Sequence, residues 1–139
     1  MTKIFYLTVC AFIFAIIYMY SSLPLTSGLS KRAEFYVQGN GSNAQIVNVE
    51  NLTELQKYSF SKVHGEGAIV EDKQKLFKFI TDYGVEFYYS QKIEDGTSYY
   101  GYSNKIRYSQ KLNGKIINVH IHVKNGTIKI GFPIIFGSY

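Results

Sequence analysis

The stretch that decides the fold is INVHIHVKNGTIKIGFPI, residues 117–134. Apolar and polar residues alternate on both sides of Asn125-Gly126, a pattern typical of two strands that each bury one face. Asn-Gly favours a type I′ turn, because both central residues of that turn need a positive φ. A two-residue turn pairs Lys124 with Thr127 and puts every apolar side chain on one face, a register that a one-residue slip would destroy.

A helix is predicted upstream of this hairpin, over residues 71–83. Acidic residues at its start suit the positive end of a helix dipole, and Gly84 suits the left-handed conformation that often ends a helix. Apolar residues recur at spacings of three and four and form one stripe: Leu76, Phe77, Ile80 and Tyr83. The stripe needs an apolar sheet face to cover it.

That sheet is predicted to follow the helix directly. Turn signals at Asp95-Gly96 and Asn113-Gly114 separate alternating segments, and the second turn pairs Tyr108 with Val119. We therefore expect an α+β fold in which one helix packs on a five-stranded antiparallel meander. Because Pro133 cannot donate a ladder hydrogen bond, the last strand ends, bulges or becomes an edge there. The predicted strands are residues 85–94, 97–103, 105–112, 115–124 and 127–136.

The segment before the helix is less regular. Glu34–Val37 and Gln45–Val49 are short strand candidates, and Asn51–Val63 is interpreted as a helix although it also alternates like a strand. His64-Gly65-Glu66-Gly67 lacks the spacing of a phosphate-binding loop and is interpreted as a plain turn.

Residues 1–28 are predicted to be a signal peptide or a retained membrane anchor, and residues 33–139 a single domain. Lys3 precedes an apolar run from Ile4 to Tyr20, which resembles the basic start and apolar core of an export signal. The run lies at the lower limit of length for a spanning helix, and a buried helix is the third alternative. Cys10 is the only cysteine, so no internal disulfide can form.

Positive charge concentrates in the C-terminal sheet. From Gly96 to Tyr139 the chain has no Asp or Glu, and the predicted register places its basic residues away from the helix. Such a face would attract phosphates or other polyanions, and Tyr88 or a tyrosine from Tyr99 to Tyr102 could add stacking. The alternative is that the lysines only keep an exposed sheet soluble. The candidate anion-binding face is Lys105, Arg107, His120, His122, Lys124 and Lys129.

No catalytic set emerges from the sequence, so an enzyme is not predicted and no cofactor is expected. A serine, a base and an orienting acid cannot be brought together by spacing. His120 and His122 lie two apart on one strand and could hold a metal ion, but the predicted register brings no third ligand near them. We therefore interpret both histidines as exposed polar positions.

The final third of the chain resembles the C-terminal half of the YwmB family. The residues that carry the likeness are Leu76-Phe77-Lys78, Gly101-Tyr102-Ser103, Asn118, Asn125-Gly126-Thr127, Ile130-Gly131-Phe132-Pro133-Ile134-Ile135 and Tyr139. The resemblance covers about residues 70–139 and implies an exported protein of Firmicutes with half of a fold similar to the TATA-box-binding protein. Phe132 stands where that family commonly has threonine, and members usually carry two related halves, so two chains would have to pair to complete a saddle.

Together these features predict an exported, non-enzymatic binding domain, secreted or tethered to the membrane through residues 4–20. Its basic sheet face would contact an anionic envelope polymer or an exported protein partner, and a homodimer is possible. The alternatives are a hydrolase or transferase acting on the cell envelope and a purely structural partner. Nucleic-acid binding through the sheet is the least favoured, because it conflicts with the export signal.

Overall fold

The computed structural model describes residues 2–21, 24–38, 44–49 and 63–136, and the fold is α+β with an antiparallel sheet. The described helices are α1 (Thr2–Ser21), α2 (Lys73–Tyr83) and a short 3-10 helix (Leu25–Gly28). The described strands are β1 (Ala33–Gln38), β2 (Ala44–Val49), β3 (Val63–Ile69), β4 (Glu86–Ile93), β5 (Gly96–Tyr102), β6 (Gln110–Leu112), β7 (Lys115–Ile117), β8 (Val119–Lys124) and β9 (Thr127–Phe132).

Across these described ranges, no helix combines the length and the apolar character that a membrane crossing needs. The predicted helix within Asn51–Val63 falls on residues 51–62, which lie outside the described part of the chain, and on Val63, the first residue of β3.

The main sheet has seven strands in the order β2-β1-β3-β9-β8-β5-β4, so the predicted five-stranded meander is wrong. β1, β2 and β3 extend the sheet beyond β9. β5 pairs with β8, and the chain between them does not add a strand to this sheet. The short strands β6 and β7 form a separate two-stranded sheet.

The predicted β8–β9 hairpin is confirmed. Lys124 pairs with Thr127, and the register continues inward through Ile121 and Ile130. Asn125 and Gly126 both have positive φ, at 49° and 78°, as a type I′ turn requires. At the β4–β5 turn the pairing of Ile93 with Gly96 places Glu94 and Asp95 in the loop, one residue earlier than predicted.

The predicted strand at 105–112 is wrong, because only Gln110–Leu112 pairs as a strand. Residues 103–109 form a loop that Asn118 holds in place. The Asn118 side-chain oxygen accepts from the Ser103 amide at 2.8 Å, and its amide nitrogen donates to the Ser103 carbonyl at 2.6 Å. These bonds replace the predicted pairing of Tyr108 with Val119, which lies opposite Gly101 instead.

The glycine-rich segment predicted as a turn is instead part of the central strand β3. A Cβ on Gly65 would lie 2.6 Å from the Phe132 carbonyl oxygen and 3.0 Å from the rings of Tyr36 and Phe136. Glycine is therefore needed there for close packing rather than for a turn.

Helix α2 ends where the sequence predicted, but it begins at Lys73, two residues after the predicted start, because Asp72 is its N-cap. The Asp72 side chain accepts from the Gln74 amide at 2.8 Å, and Gly84 is left-handed with φ 58°. The predicted place of Phe77 on the buried stripe is wrong, because its side chain is 66% exposed. Leu76 and Phe79 are the buried residues, since they lie on the side of the helix that meets the sheet.

The core lies between α2, the 103–109 loop and one face of the sheet. Ile106 and Tyr108 of the loop pack there although they are not in a strand. The ring of Phe79 lies 5.4 Å from the ring of Phe132. The sheet residues of this core include Phe35, Val37, Ala68, Val119, Ile121, Ile130 and Phe132.

The other face of the sheet is covered in its centre by residues 133–136, here called the C-terminal segment. The backbone of Ile134 and Ile135 lies directly over Gly131, and the Ile135 amide donates to the His120 ring. The hydroxyl of Tyr36 donates to the Phe136 carbonyl at 3.0 Å, and the two rings lie 4.0 Å apart. Both faces of the central strands are therefore buried.

Gly131 lies directly beneath the C-terminal segment. A Cβ on it would come within 2.5 Å of the backbone oxygen of Ile134 and the backbone nitrogen of Ile135. We expect Gly131→Ala to lower the free energy of unfolding by about 1–3 kcal/mol, because backbone must move to admit the methyl group. Gly28→Ala is the matched control, since no atom lies within 4 Å of the added carbon. Equal urea midpoints for the two variants would contradict this packing.

Candidate binding site

The six residues predicted to form one basic face lie in two different places. The sheet face away from α2 carries His120, His122, Lys124 and Lys129. The 103–109 loop, which lies on the opposite side over the core, carries the other two, Lys105 and Arg107. The prediction that all six share one face is wrong, because it rested on a strand at 105–112 that does not form.

The two histidines are buried, at 1% and 3% exposure, so the prediction that they are exposed is wrong. Ser98 of β5 lies between them. Its hydroxyl oxygen is 2.8 Å from Nδ1 of His122 and 3.0 Å from Nε2 of His120. The amide of Ile135, in the C-terminal segment, donates to Nδ1 of His120 at 3.1 Å.

This arrangement decides where the protons lie. Because the Ile135 amide donates to Nδ1, neutral His120 carries its proton on Nε2 and donates it to Ser98. The Ser98 hydroxyl then donates to Nδ1 of His122. Burial, and then the neighbouring His122, lower the pKa of His120 to about 4. Burial and the Lys124 charge also lower the pKa of His122, so both rings are neutral near neutral pH.

Aromatic rings extend this buried row across the sheet. The Tyr100 ring stacks on the His120 ring at 4.4 Å, and the Tyr89 ring stacks on Tyr100 at 4.9 Å. These rings pack against one another along this face of the sheet and do not leave space there for a ligand.

The two lysines on this face have carboxylate partners from distant parts of the chain. Nζ of Lys124 lies 3.7 Å from Asp95, and Nζ of Lys129 lies 3.2 Å from Glu34. The chain after Gly96 contains no Asp or Glu, but the surface that it forms still has negative charges. Glu34 of β1 and Asp95 of the β4–β5 turn supply them.

The two residues of the loop are also held by the protein. Nζ of Lys105 donates to the carbonyl of Asp82 at 2.7 Å, near the C-terminal end of α2, where the helix dipole favours a cation. Nη2 of Arg107 lies 3.3 Å from Oε1 of Glu66 and donates to the Tyr108 hydroxyl at 2.7 Å.

Glu66 is fully buried on the core side of β3 and fixes two segments to the sheet. Its Oε1 accepts from the Tyr108 hydroxyl at 2.9 Å, and its Oε2 accepts from the Thr26 amide at 3.2 Å. Burial raises the pKa of Glu66, and the hydrogen bonds from Tyr108 and Thr26 and the charge of Arg107 oppose that shift. The carboxyl group thus ties the 3-10 helix and the 103–109 loop to the strand.

An open cleft lies beside the edge strand β4. We call it the tyrosine–lysine cleft; it has a volume of about 420 Å³ and is lined by Tyr88, Tyr102, Lys115 and Ile116. The β4–β5 register shifts between Phe87 and Tyr89, so Tyr88 is the extra residue of a bulge. Bulges re-aim side chains in this way, often beside functional sites.

Lys115 gives this cleft its charge. Its Nζ lies 4.9 Å from the centre of the Tyr88 ring, a cation–π contact. In the part of the chain that the structure describes, no carboxylate lies within 4 Å of that Nζ. Lys111, on the same β6–β7 hairpin, is exposed as well.

A larger cleft of about 750 Å³ lies where α2 begins, between the start of β1 and the ends of β2 and β3. Its lining carries charges of both signs, from Lys31, Arg32, Glu34 and Glu71. It therefore favours neither anions nor cations. Among the described ranges, no group of three or more His, Cys, Asp or Glu could hold a metal ion.

No family model, curated protein or solved structure matches this chain. The resemblance to the YwmB family, and the half-saddle fold that it implies, stay predictions.

The sequence analysis offered Tyr88, or a tyrosine from Tyr99 to Tyr102, for stacking, and it did not place Lys115 or Ile116 beside them. The Asn113-Gly114 turn was the available signal for Lys115 and Ile116. These two residues follow the turn in the β6–β7 hairpin, which lies apart from the main sheet and reaches its edge. Glu66 was missed because its glycine neighbours suggested a turn rather than a buried strand.

Proposed function

We propose that this protein is an exported, non-enzymatic binding domain that holds an anionic envelope polymer in the tyrosine–lysine cleft. The observation that carries the proposal is the ammonium group of Lys115. It lies over the Tyr88 ring at an open surface and has no carboxylate partner in the described residues. The proposed binding surface therefore lies at the edge of the sheet and not on the sheet face that the sequence predicted.

The chemistry of the cleft suits a polymer that alternates rings and negative charges. Aromatic side chains provide flat apolar surfaces on which ring-shaped groups stack, and such stacking does not require one particular ring. Lys115 supplies a positive charge for an acidic group next to such a ring. Lys111 could bind the next acidic group along the polymer. Binding of this kind weakens as salt rises, because exposed charges are screened.

The envelope as the location comes from residues 1–28, which are predicted to direct export or to anchor the protein. An enzyme remains less favoured. Ser98 lies between two imidazoles, an arrangement that resembles a nucleophile with its base, but its side chain is fully buried beneath the C-terminal segment and hydrogen-bonds to both rings.

A protein partner is the second candidate, and one observation favours it. β4 ends the sheet on one side and presents exposed Phe87 and Tyr88, so its outer edge could accept a strand from an exported protein or from a second copy. A monomeric mass by light scattering would count against self-association.

The polymer proposal predicts the effect of reversing one charge. We expect Lys115→Glu to weaken binding to a soluble polyanion such as heparin or teichoic acid by about tenfold at low salt, because an attraction worth roughly 1.4 kcal/mol is lost. Lys73→Glu, which reverses an exposed lysine on α2, is the matched control and should bind like wild type. Equal losses for both variants would mean that only net charge matters and that the cleft is not the site.

A second variant and its matched control test the contribution of stacking to binding. Tyr88→Ala should weaken binding about five- to a hundredfold, since stacking on an aromatic ring contributes about 1–3 kcal/mol. Tyr99→Ala removes a tyrosine of similar exposure from the opposite face of the sheet and should leave the affinity unchanged.

A further inference from the structure

We propose that a second cleft, centred on Arg107, binds a phosphate group. This Arg107 cleft has a volume of about 400 Å³ and is lined by Val63, His64, Arg107, Tyr108 and Ser109. It shares no lining residue with the tyrosine–lysine cleft, and the proposal does not depend on the polymer function.

The guanidinium of Arg107 is held in one orientation by groups beneath it. Its Cζ lies 4.8 Å from the centre of the Tyr108 ring, and Nη2 contacts both the Tyr108 hydroxyl and the buried Glu66. A guanidinium that is already positioned loses little freedom when it binds a ligand.

The remaining donors of this guanidinium are available. Both hydrogen bonds that it makes use Nη2, so within the described chain Nε and Nη1 have no protein acceptor. The side chain is 44% exposed, and it faces the cleft. Nε and Nη1 lie on different edges of the planar guanidinium, so each can donate a charge-assisted hydrogen bond to an oxygen of a phosphate.

Other polar groups of the cleft suit a phosphate better than a carboxylate. The Ser109 hydroxyl and the exposed imidazole of His64 add donors from the loop and from β3. Three sources of donors suit a tetrahedral group with three terminal oxygens. The volume of the cleft exceeds that of one phosphate, so an organic group attached to the phosphate also has room.

The charge of Glu66 does not prevent binding. Its carboxyl group is fully buried behind Arg107, and its oxygens accept bonds from Tyr108, Thr26 and Nη2. The side of Arg107 that faces solvent therefore presents donors and no acceptor.

Calorimetric titration of the full chain at low ionic strength tests this site, with inorganic phosphate and glycerol 3-phosphate as probes. For wild type we expect a dissociation constant of about 1 mM, the affinity of a few charge-assisted hydrogen bonds. Ser109→Asp should weaken it at least tenfold, because it places a negative charge in the cleft without touching the Glu66 contacts. Ser90→Asp adds the same charge at an exposed position of β4 and should bind like wild type.

Two further variants separate the explanations. Arg107→Lys keeps the charge but loses the rigid planar group that Tyr108 and Glu66 hold in position, and it should weaken binding about tenfold. Lys115→Glu should leave phosphate binding unchanged, so failure of this site and failure of the polymer site are distinguishable. Tighter binding of glycerol 3-phosphate identifies a phosphate ester as the occupant, and equal affinities identify the free anion. No heat with wild type, or equal losses for Ser109→Asp and Ser90→Asp, overturns the proposal.

Discussion

Replacing Phe132 with alanine is expected to lower the free energy of unfolding by about 3–5 kcal/mol. The Phe132 side chain is fully buried at the end of β9, where it packs against the ring of Phe79 on α2. Its removal would leave a cavity between the helix and the sheet that backbone on both sides can only partly close. Because a domain of this size has about 5–15 kcal/mol in total, the loss would be a large share of its stability.

Phe77→Ala is the matched control for this prediction. Phe77 lies on the same helix as Phe79 but on its solvent side, and it is 66% exposed. Its replacement should change the free energy of unfolding by no more than about 0.5 kcal/mol. Urea denaturation followed by circular dichroism measures both variants. Comparable losses at the two positions would mean that the core does not lie where the structure puts it.

The second large effect is a loss of stability in acid that depends on His120. The pKa of this ring is about 4 in the folded protein, against an ordinary value of 6.5. Between these two pH values the unfolded chain binds a proton that the folded protein does not, so stability falls as pH falls. At about 1.36 kcal/mol per pKa unit, the loss from His120 approaches ~3 kcal/mol near pH 4. Protonation would also remove the acceptor of the Ile135 amide.

Unfolding measured at a series of pH values tests this expectation. His120→Gln should flatten the decline between pH 6.5 and pH 4, whereas His64→Gln, at an exposed histidine, should leave it unchanged. His122 contributes with the same sign, because its pKa is also lowered. Glu66 acts in the opposite sense, since a raised carboxyl pKa makes the folded protein bind its proton first as pH falls. A decline that is as steep in His120→Gln as in wild type would contradict the assignment.

Local features were predicted well because each depends on residues close together in the chain. The β8–β9 register follows from a two-residue turn and an alternation of period two, which leave one pairing that buries all the apolar residues. The C-terminal end of α2 follows from Gly84, whose left-handed conformation ends the helix, whereas the N-terminal end was placed two residues too early. The buried stripe was assigned less well. Phe77 and Phe79 are both apolar, and only the position of the sheet determines which of the two side chains is buried.

The order of the strands could not be read in the same way. β5 and β8 pair across an intervening segment, and that segment forms a loop whose backbone at Ser103 is hydrogen-bonded by the Asn118 side chain. A local pattern treats residues 105–112 as one more strand, since Ile106 and Tyr108 alternate with polar neighbours. Both are buried as predicted, but they are held by the loop rather than by a ladder.

The candidate site shows the same limit. Alternation correctly placed His120 and His122 on the face away from the helix, but it does not distinguish a polar residue in water from one beneath a second layer. The C-terminal segment supplies that layer, and distant carboxylates neutralise Lys124 and Lys129. Lys115, whose ammonium group lines the tyrosine–lysine cleft, was not in the predicted set.

By itself the sequence determined the elements whose geometry depends on neighbours in the chain: the type I′ turns, the C-terminal end of the helix and the apolar side of β8 and β9. The tertiary structure alone decided which strands meet, what covers the second face of the sheet and which cations keep their charge exposed. These depend on contacts between residues far apart in the chain, such as Glu34 with Lys129 and Tyr36 with Phe136. No local period encodes such contacts, because their free energy appears only when the whole sheet has formed.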